Sequence, residues 1–404
     1  MSHIIQIGLF GYGVVGQGVY NILQKELSNR VKIQKIVVKD LTKDRGEASP
    51  LISFAKEDIL DNPEIDLVIE VISDAEEAFS LVAEALQKGK KVITANKKML
   101  ADHLQELLHT VENSQGTLLY EASTCGSIPV IQTIDKHFAY QPITSIRGIL
   151  NGSSNYILSK LNQGGISYAQ ALAEAQQLGF AEADPKLDVG GYDSLNKLVI
   201  LNYHAFGAIG KSEEILHFGI QHISEQDIAW AKNLGYKIKL IAQSSLQPNG
   251  ELISWVLPSL VHSESELYTI ENEYNAVQIE GLYTDSQLLK GKGAGSLPTA
   301  ASIVADVLAV LRQEPYINSA YSGKPKTQAD ASLAVYVREE SPSSPLILKD
   351  ERFIDKRSRI GRIQIKEVLR RKEELAEQGL FIAQIPEALL ASQAVHKEDC
   401  YQLV

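Results

Sequence analysis

Glu182, Asp184, Asp188 and Asp193 share the run "AEADPKLDVGGYDSLNK" (181–197) with Lys186 and Lys197. Loops gather such residues simply because they are wet. A site that moves a proton gathers them too, because a lysine beside a carboxylate in a sheltered place can donate or relay one. The segment "SLNKLVILNYHAFG" (194–207) reads as a helix, made strongly apolar by Leu198, Ile200 and Leu201. Asp193 then falls at the expected N-cap, and Lys197, four residues on, lies on nearly the same side. Two readings stand open: a surface pair worth about 0.2–0.5 kcal/mol, or a proton-transfer pair in a cleft.

A second pattern suits phosphate. Gly11-Tyr12-Gly13-Val14-Val15-Gly16 sits between an apolar run at 4–9 and a helical periodicity from Val14 to near Leu27. The glycines allow a tight turn, close approach of a pyrophosphate, and close packing of helix on strand. The helix N-terminus adds free N–H groups and a favourable dipole. The next strand is "KIQKIVVKD" (32–40), where Asp40 could hold the ribose 2′-hydroxyl of NAD. Lys39, Lys43 and Arg45 could instead neutralise a 2′-phosphate, and the mixed charges also suit a solvated strand end. The basic residues favour NADP, with NAD left open.

The elements that must position these groups follow from the hydrophobic pattern. "IDLVIEVI" (65–72) and "GTLLYEAS" (116–123) read as strands, and 75–89 as a helix. "KKVITANKKML" reads as a strand running into a turn and helix. Apolar runs joined by helices predict a parallel sheet covered on both faces, with ligands beyond the strands' carboxyl ends. Thr94, Asn96, Lys97 and Glu121 lie at such ends. Lys97 is either a ligand contact or a surface lysine. The loop "EASTCGSIP" (121–129) could turn main-chain oxygens toward a hard cation. Cys125, with no histidine paired to it in the sequence, reads as a small buried thiol. Beyond a strand at 143–150, Asn151, Ser153 and Ser154 cap a helix beginning near Ser154, whose free N–H groups could also receive a small polar substrate. An amphipathic helix at 167–180 stops at Gly179.

The chain has 404 residues, enough for two or three domains, and a net charge of −11, which argues against a non-specific nucleic-acid surface. No apolar run is long enough to cross a bilayer, and the first residues do not read as a signal peptide. Two cysteines, Cys125 and Cys400, are too few for a disulfide framework. A cytoplasmic protein is expected.

Taken together, "GLFGYGVVGQGV", "TANKKMLA" (94–101), "EASTCGSIP", "RGILNGSSNYIL" (147–158), "LGFAEADPKLDVGGYDSLNK" and "GKGAGSLPTAASIVADVL" (291–308) resemble, in order, the homoserine dehydrogenase family. The resemblance spans residues 7 to about 310. It implies an α/β fold in three parts: a Rossmann-type NAD(P)-binding domain at 1–130, an α+β substrate and dimerisation domain at 131–320, and a small C-terminal ACT-like or divergent domain at 328–404. A helix from about 298 would return to the nucleotide domain. The implied reaction interconverts aspartate semialdehyde and homoserine with NADP or NAD, on the route to threonine and methionine. Lys197, Asp193 and Glu182 are similar to the family's catalytic set, with Lys197 exchanging a proton with the substrate oxygen. Glu182, Asp188, Asp193, Lys97 and Ser153 match its substrate contacts. Gly11, Gly13, Val14, Val15, Gly16, Lys39, Lys43, Thr94, Lys97, Gly291 and Gly293 are the expected cofactor contacts. Glu121, with main-chain oxygens of Thr124, Gly126 and Ile128, resembles the family's monovalent-cation site, taken as sodium. The expected partners are a small-molecule substrate and further copies in a dimer or tetramer, with no nucleic acid and no membrane.

The chain also departs from the family pattern. Phe180 stands where a tyrosine is usual, Ser153 where a threonine is usual, and "EVISDAEEA" (70–78) lacks the usual paired glycines. The cation loop carries Thr124, Cys125 and Ser127. In the tail, 321–330 reads as a linker, "SLAVYVREE" as a strand, "SPSSP" as a breaker, "IGRIQIKEVLRRKEELAEQGLFIAQIP" as a helix and a strand, and "CYQLV" as a last strand. The effector signature of an ACT domain is not found at its first helix. The basic run from Lys356 to Lys372 reads as a solvated helix or a contact with an acidic surface. Two rivals remain: another NAD(P)-linked oxidoreductase, which would not need the 182–197 block, and a silent paralogue, which would be expected to lack Lys197 or its acids.

Overall fold

The computed structural model describes residues 4–40, 43, 45–316, 325–327, 331–339 and 346–391. The chain divides into two compact units. The first comprises Met1–Pro142, Val199–Ile209 and Gly291–Ser322. Its sheet is wholly parallel, in the order β3-β2-β1-β4-β5-β6. The strands are β1 (Ile5–Phe10), β2 (Val31–Val37), β3 (Ile52–Ser53), β4 (Leu67–Glu70), β5 (Lys91–Thr94) and β6 (Thr117–Leu119). Strand β4 is buried at all four residues, the pattern of a strand covered on both faces.

Two of the long covering helices start where the sequence supplies a side-chain cap. Helix α1 (Val14–Glu26) does not, with Gly13 at its N-cap and no side chain closing it. The short α2 (Glu57–Leu60) precedes β4. In α3 (Ala75–Gln87) the Asp74 carboxylate accepts from Glu77 N at 2.9 Å, and in α4 (Lys97–Glu112) Asn96 Oδ1 accepts from Met99 N at 3.0 Å. The expected strand at 116–123 ends at Leu119, and part of the 121–129 loop is helical, as α5 (Ala122–Cys125), with α6 (Val130–Gln132) next. Cys125 is buried.

The second unit comprises Ile143–Leu198, Gly210–Lys290 and Gly323–Val404. It opens with β7 (Ile143–Ile149), α7 (Gly152–Gln163), α8 (Tyr168–Gln177), α9 (Lys186–Val189) and α10 (Tyr192–Phe206), whose later turns are counted in the first unit. Asp193 is therefore not the N-cap expected from the sequence but lies inside the first turn of α10. The chain continues through β8 (Leu216–His217), α11 (Glu225–Asn233), β9 (Tyr236–Leu246), β10 (Glu251–His262), β11 (Tyr274–Gly281) and β12 (Gln287–Lys292). Helix α12 (Ser296–Leu311) belongs to the first unit and packs along α1. Gly18 makes that approach possible, because a Cβ there would lie 2.9 Å from Ser296 Oγ.

The tail supplies β13 (Lys326–Thr327), β14 (Ser332–Arg338), β15 (Lys349–Phe353), β16 (Ser358–Gln364), α13 (Ile365–Arg370), α14 (Lys372–Glu377), β17 (Phe381–Gln384) and α15 (Glu387–Ala391). Within the expected linker, Lys326 and Thr327 pair with β10. "IGRIQ", expected to open a helix, lies in β16, and the helices begin only at Ile365. Most of 321–330, the breaker at 341–345, "CYQLV" and Cys400 lie outside the described residues.

One sheet runs through this unit in the order β12-β11-β7-β9-β10-β17-β14-β16-β15. Each of its last four strands is antiparallel to its neighbour, and in tail order they lie 4-1-3-2, the arrangement of a split βαββαβ sandwich. Val335, Val337, Ile363, Val368 and Ile382 of the tail join Trp255 and Leu257 of β10 in one buried apolar cluster. Two arginines of the tail's basic run are paired within the tail: Arg359 meets Glu339 and Glu351, both at 2.5 Å, and Arg362 meets Glu387 at 2.5 Å.

Candidate functional site

The second unit brings the lysine and two of its carboxylates together. Lys197 Nζ lies 2.8 Å from Asp193 Oδ2 and donates to the Leu150 carbonyl at 2.7 Å. Each of the two residues is only 5% exposed, which removes the surface-pair reading. Breaking a buried pair by deleting one partner typically costs about 3–5 kcal/mol. An ammonium has three donors, and two are placed among the described residues. Asn151 Nδ2 donates to Asp188 Oδ1 at 2.8 Å and to Asp193 Oδ2 at 3.0 Å, while its Oδ1 caps α7 through Ser154 N at 2.8 Å. Asn151 thus caps the helix, as expected, and also joins the polar cluster.

Not every expected residue joins the cluster. Glu182 is exposed, and its described bond is made by its main-chain oxygen, which accepts from Gln176 Nε2 at 3.0 Å. The Ser153 hydroxyl donates to the Phe180 carbonyl at 2.5 Å, and the Phe180 ring leans on Tyr156 with centroids 5.0 Å apart. Asn275, which the sequence reading missed, donates to the same Leu150 oxygen as Lys197, at 2.7 Å.

The first unit holds the glycine fingerprint in a form that fits a pyrophosphate. Gly11 has φ +98°, and a Cβ on Gly16 would stand 2.4 Å from the Gly11 carbonyl oxygen. A Cβ on Gly13 would meet nothing within 4 Å, so the space above the start of α1 is open. Val14, at the first turn, is 70% exposed, and Val15 is half-buried. At the end of β2, Lys39 pairs with Glu77, and Lys43 stands 3.7 Å from Asp40. Thr94 is buried at the end of β5, and Lys97 is half-buried at the head of α4. Gly291 and Gly293 pack against the 126–128 loop: a Cβ on Gly291 would fall 2.9 Å from Ile128 Cγ1, and one on Gly126 would fall 2.6 Å from the Gly293 carbonyl.

Residues 11–121 match the family model described as homoserine dehydrogenase, NAD binding domain, and residues 129–308 match the model described as homoserine dehydrogenase. The homoserine dehydrogenase of Bacillus subtilis (strain 168) is 35% identical over 356 residues, 83% of this chain and 82% of that protein. The chain belongs to the homoserine dehydrogenase family. Membership makes it an NAD(P)-dependent oxidoreductase acting on the homoserine hydroxyl. The enzyme of Helicobacter pylori is 37% identical over 321 residues, 78% of this chain and 75% of that one. The crystal structure of a homoserine dehydrogenase from Thiobacillus denitrificans superposes with a TM-score of 0.82 at 27% identity, covering 95% of this chain and 98% of that one.

In the loop that resembles the family's cation site, the Glu121 carboxylate accepts from Ile131 N at 2.9 Å and Gln132 N at 2.7 Å. Its own N–H donates to Asp306 Oδ2 at 2.9 Å. Burial, with Asp306 adding to it, pushes Glu121 up to about 8, and burial pushes Asp306 up to about 7. Gly126, at φ +55°, turns the chain, and its carbonyl accepts from Ser302 Oγ at 2.5 Å. The loop is braced further by Tyr120, whose hydroxyl meets His204 Nε2 at 3.0 Å while His204 Nδ1 meets Asp135 at 2.9 Å.

Glu70, also missed from sequence, ends β4 fully buried, its carboxyl held by Thr94 Oγ1 and Ile72 N. Burial raises it to about 7 from 4.5. The folded chain therefore holds a proton that the unfolded chain has lost between those two values, so this group's contribution falls as pH rises across the window and is gone above about 7. Glu70→Gln keeps the shape and stays neutral. Urea unfolding across a pH series is expected to show the variant gaining on the parent from pH 4.5 to 7, by an amount on the order of 3 kcal/mol at the top. Equal slopes for the two proteins would mean that the buried carboxyl is not the cause.

Proposed function

We propose that this chain catalyses the reversible NAD(P)-linked interconversion of L-aspartate 4-semialdehyde and L-homoserine, a step toward threonine and methionine. The observation that carries the site assignment is Lys197, buried, tied to Asp193 and the Leu150 carbonyl, with one N–H left to meet a substrate oxygen. A bound nicotinamide nucleotide supplies hydride to the aldehyde carbon or takes it back from the alcohol. Lys197 gives its proton to the oxygen as negative charge grows there, and in the oxidative direction takes it from the hydroxyl. Asp193 holds the ammonium in place and stabilises its charge. Asp188 and Asp193 suit the α-ammonium of the substrate, and Glu182, exposed at the start of the 181–197 run, would join them on substrate binding. Ser153 and Lys97 complete the assigned substrate contacts.

For the cofactor, Gly11, Gly13, Val14, Val15 and Gly16 would hold the pyrophosphate, with Thr94, Lys97, Gly291 and Gly293 nearer the nicotinamide end. Lys39 and Lys43 would take the 2′-phosphate of NADP. Lys39 is 75% exposed in its pair with Glu77, so its ammonium can turn to a phosphate at little cost. Lys39→Ala is expected to raise KM for NADP about tenfold, the loss of about 1.4 kcal/mol, and to leave KM for NAD unchanged. Equal effects on both would remove the 2′-phosphate assignment.

A monovalent cation, taken as sodium, fits the Glu121 loop, because Glu121 and Asp306 are two buried carboxyls raised by their own burial, and a cation would relieve that. Glu121 and the main-chain oxygens of Thr124, Gly126 and Ile128 would hold it. The 4-1-3-2 strand order supports reading 328–404 as an ACT-like module whose first crossover lacks a helix among the described residues. We place the nucleotide domain at 1–130, joined by the helix from about 298, and the substrate and dimerisation domain over the rest of 131–320. We expect a cytoplasmic dimer or tetramer. Rates with NADP+ and NAD+ across a panel of small alcohols test the reading. Homoserine should give reduced cofactor, and turnover of another hydroxy acid but not homoserine would overturn it.

A further inference from the structure

Ala276 of β11 pairs with Ile149 of β7, so the next residues along, Asn275 and Leu150, face each other one step past the end of β7. At this step the Asn275 side-chain amide donates to the Leu150 carbonyl at 2.7 Å. That oxygen is the one that accepts from Lys197 Nζ, also at 2.7 Å. Asn275 is 0% exposed and Leu150 1%, so both are closed to bulk solvent. The Asn275 Oδ1 has no hydrogen-bond partner among the described residues. A buried acceptor without a partner destabilises a fold, and an apolar residue of similar shape would serve packing at least as well. Stability therefore does not account for an asparagine at this place. Position does: a lysine has a long, flexible stem, and the ammonium is located by two acceptors, one on its own helix and one on the strand end.

We propose that Asn275 is a positioning residue for Lys197, fixing the Leu150 carbonyl from behind so that the ammonium keeps its remaining N–H aimed at the substrate oxygen. The inference rests on Lys197 being the proton-transfer residue. Asn275→Leu removes both polar groups at similar shape, and Asn275→Ala removes them with a cavity. Asn275→Leu is expected to lower kcat for homoserine oxidation about tenfold, as small displacements of a reacting group do, with KM within about twofold and the melting temperature unchanged or higher. The solvent isotope effect on kcat should rise, because proton transfer becomes slower. In a Lys197→Ala background, adding Asn275→Leu should change the residual rate by less than about twofold, since a residue acting through another is silent in its absence.

Unchanged kcat in a folded Asn275→Leu protein overturns the inference. So does loss of folding in both Asn275 variants, or an unchanged isotope effect, because the residue would then serve structure alone. If Lys197→Ala itself retains the parent rate, the proton-transfer reading fails first, and the two failures are told apart.

Discussion

Lys197→Ala is expected to reduce kcat for homoserine oxidation by about 10²–10⁴-fold, the span that a positioned general acid or base contributes. The Kd for NADPH, followed by nucleotide fluorescence, should stay within about threefold, a difference of less than 1 kcal/mol. The separation is expected because the fingerprint at Gly11–Gly16 belongs to the first unit while Lys197 belongs to the second. The substitution also strands Asp193, which keeps its bond from Asn151 but loses its counter-charge. Some loss of stability will follow, so Lys197→Met, which restores most of the side-chain volume, should be run beside it. If both variants fold and turn over homoserine near the parent rate, the assignment of the proton-transfer group is wrong.

Gly13→Ala should bring the next largest loss, in nucleotide binding, by an unrelated route. Gly13 has φ −81° and ψ −158°, an extended conformation that alanine adopts, and its added Cβ meets nothing within 4 Å. The protein should melt where the parent does. The new methyl group nevertheless occupies the space over the uncapped start of α1 where a pyrophosphate must approach. Overpacking of this kind costs about 1–3 kcal/mol, so Kd for NADPH should rise roughly 10- to 100-fold. Gly16→Ala is the contrast: its Cβ would press on the Gly11 carbonyl at 2.4 Å, so it should lose both stability and affinity. Calorimetry and nucleotide titration separate the two. An unaltered affinity in Gly13→Ala would place the phosphates elsewhere.

What could be read in the sequence was what neighbouring residues decide. The fingerprint is six consecutive residues between a strand and a helix, and the Asp193–Lys197 pair is one helical turn apart. Both are local patterns, and their chemistry shows in the one-dimensional string. Asn275 and Leu150 are 125 residues apart, and nothing short of strand register brings them together. Glu70 and Thr94 likewise meet because β4 and β5 are neighbours in the sheet. The hairpin of β9 and β10 did carry a signal, the Asn249–Gly250 pair between two apolar runs, which marks a turn. In the tail, "IGRIQ" looked helical because it runs straight into α13, and only its pairing with β14 fixes it as a strand.

The shared core of β10 and the tail bears on how this protein can be shortened. A module with its own interior can be cut away, exchanged or lost in descent while the remainder stays intact. Here Trp255 and Leu257 face the same cluster as Val335 and Ile382, and β10 pairs with β17 through Ser259 and Gln384. Trimming the chain near residue 325 would strip apolar cover from β10 and open one of its flanks to chance pairing with other chains. The tail behaves less as an appendage than as the other half of a wall, and any minimal version of this enzyme must keep that half or rebuild the surface it covers.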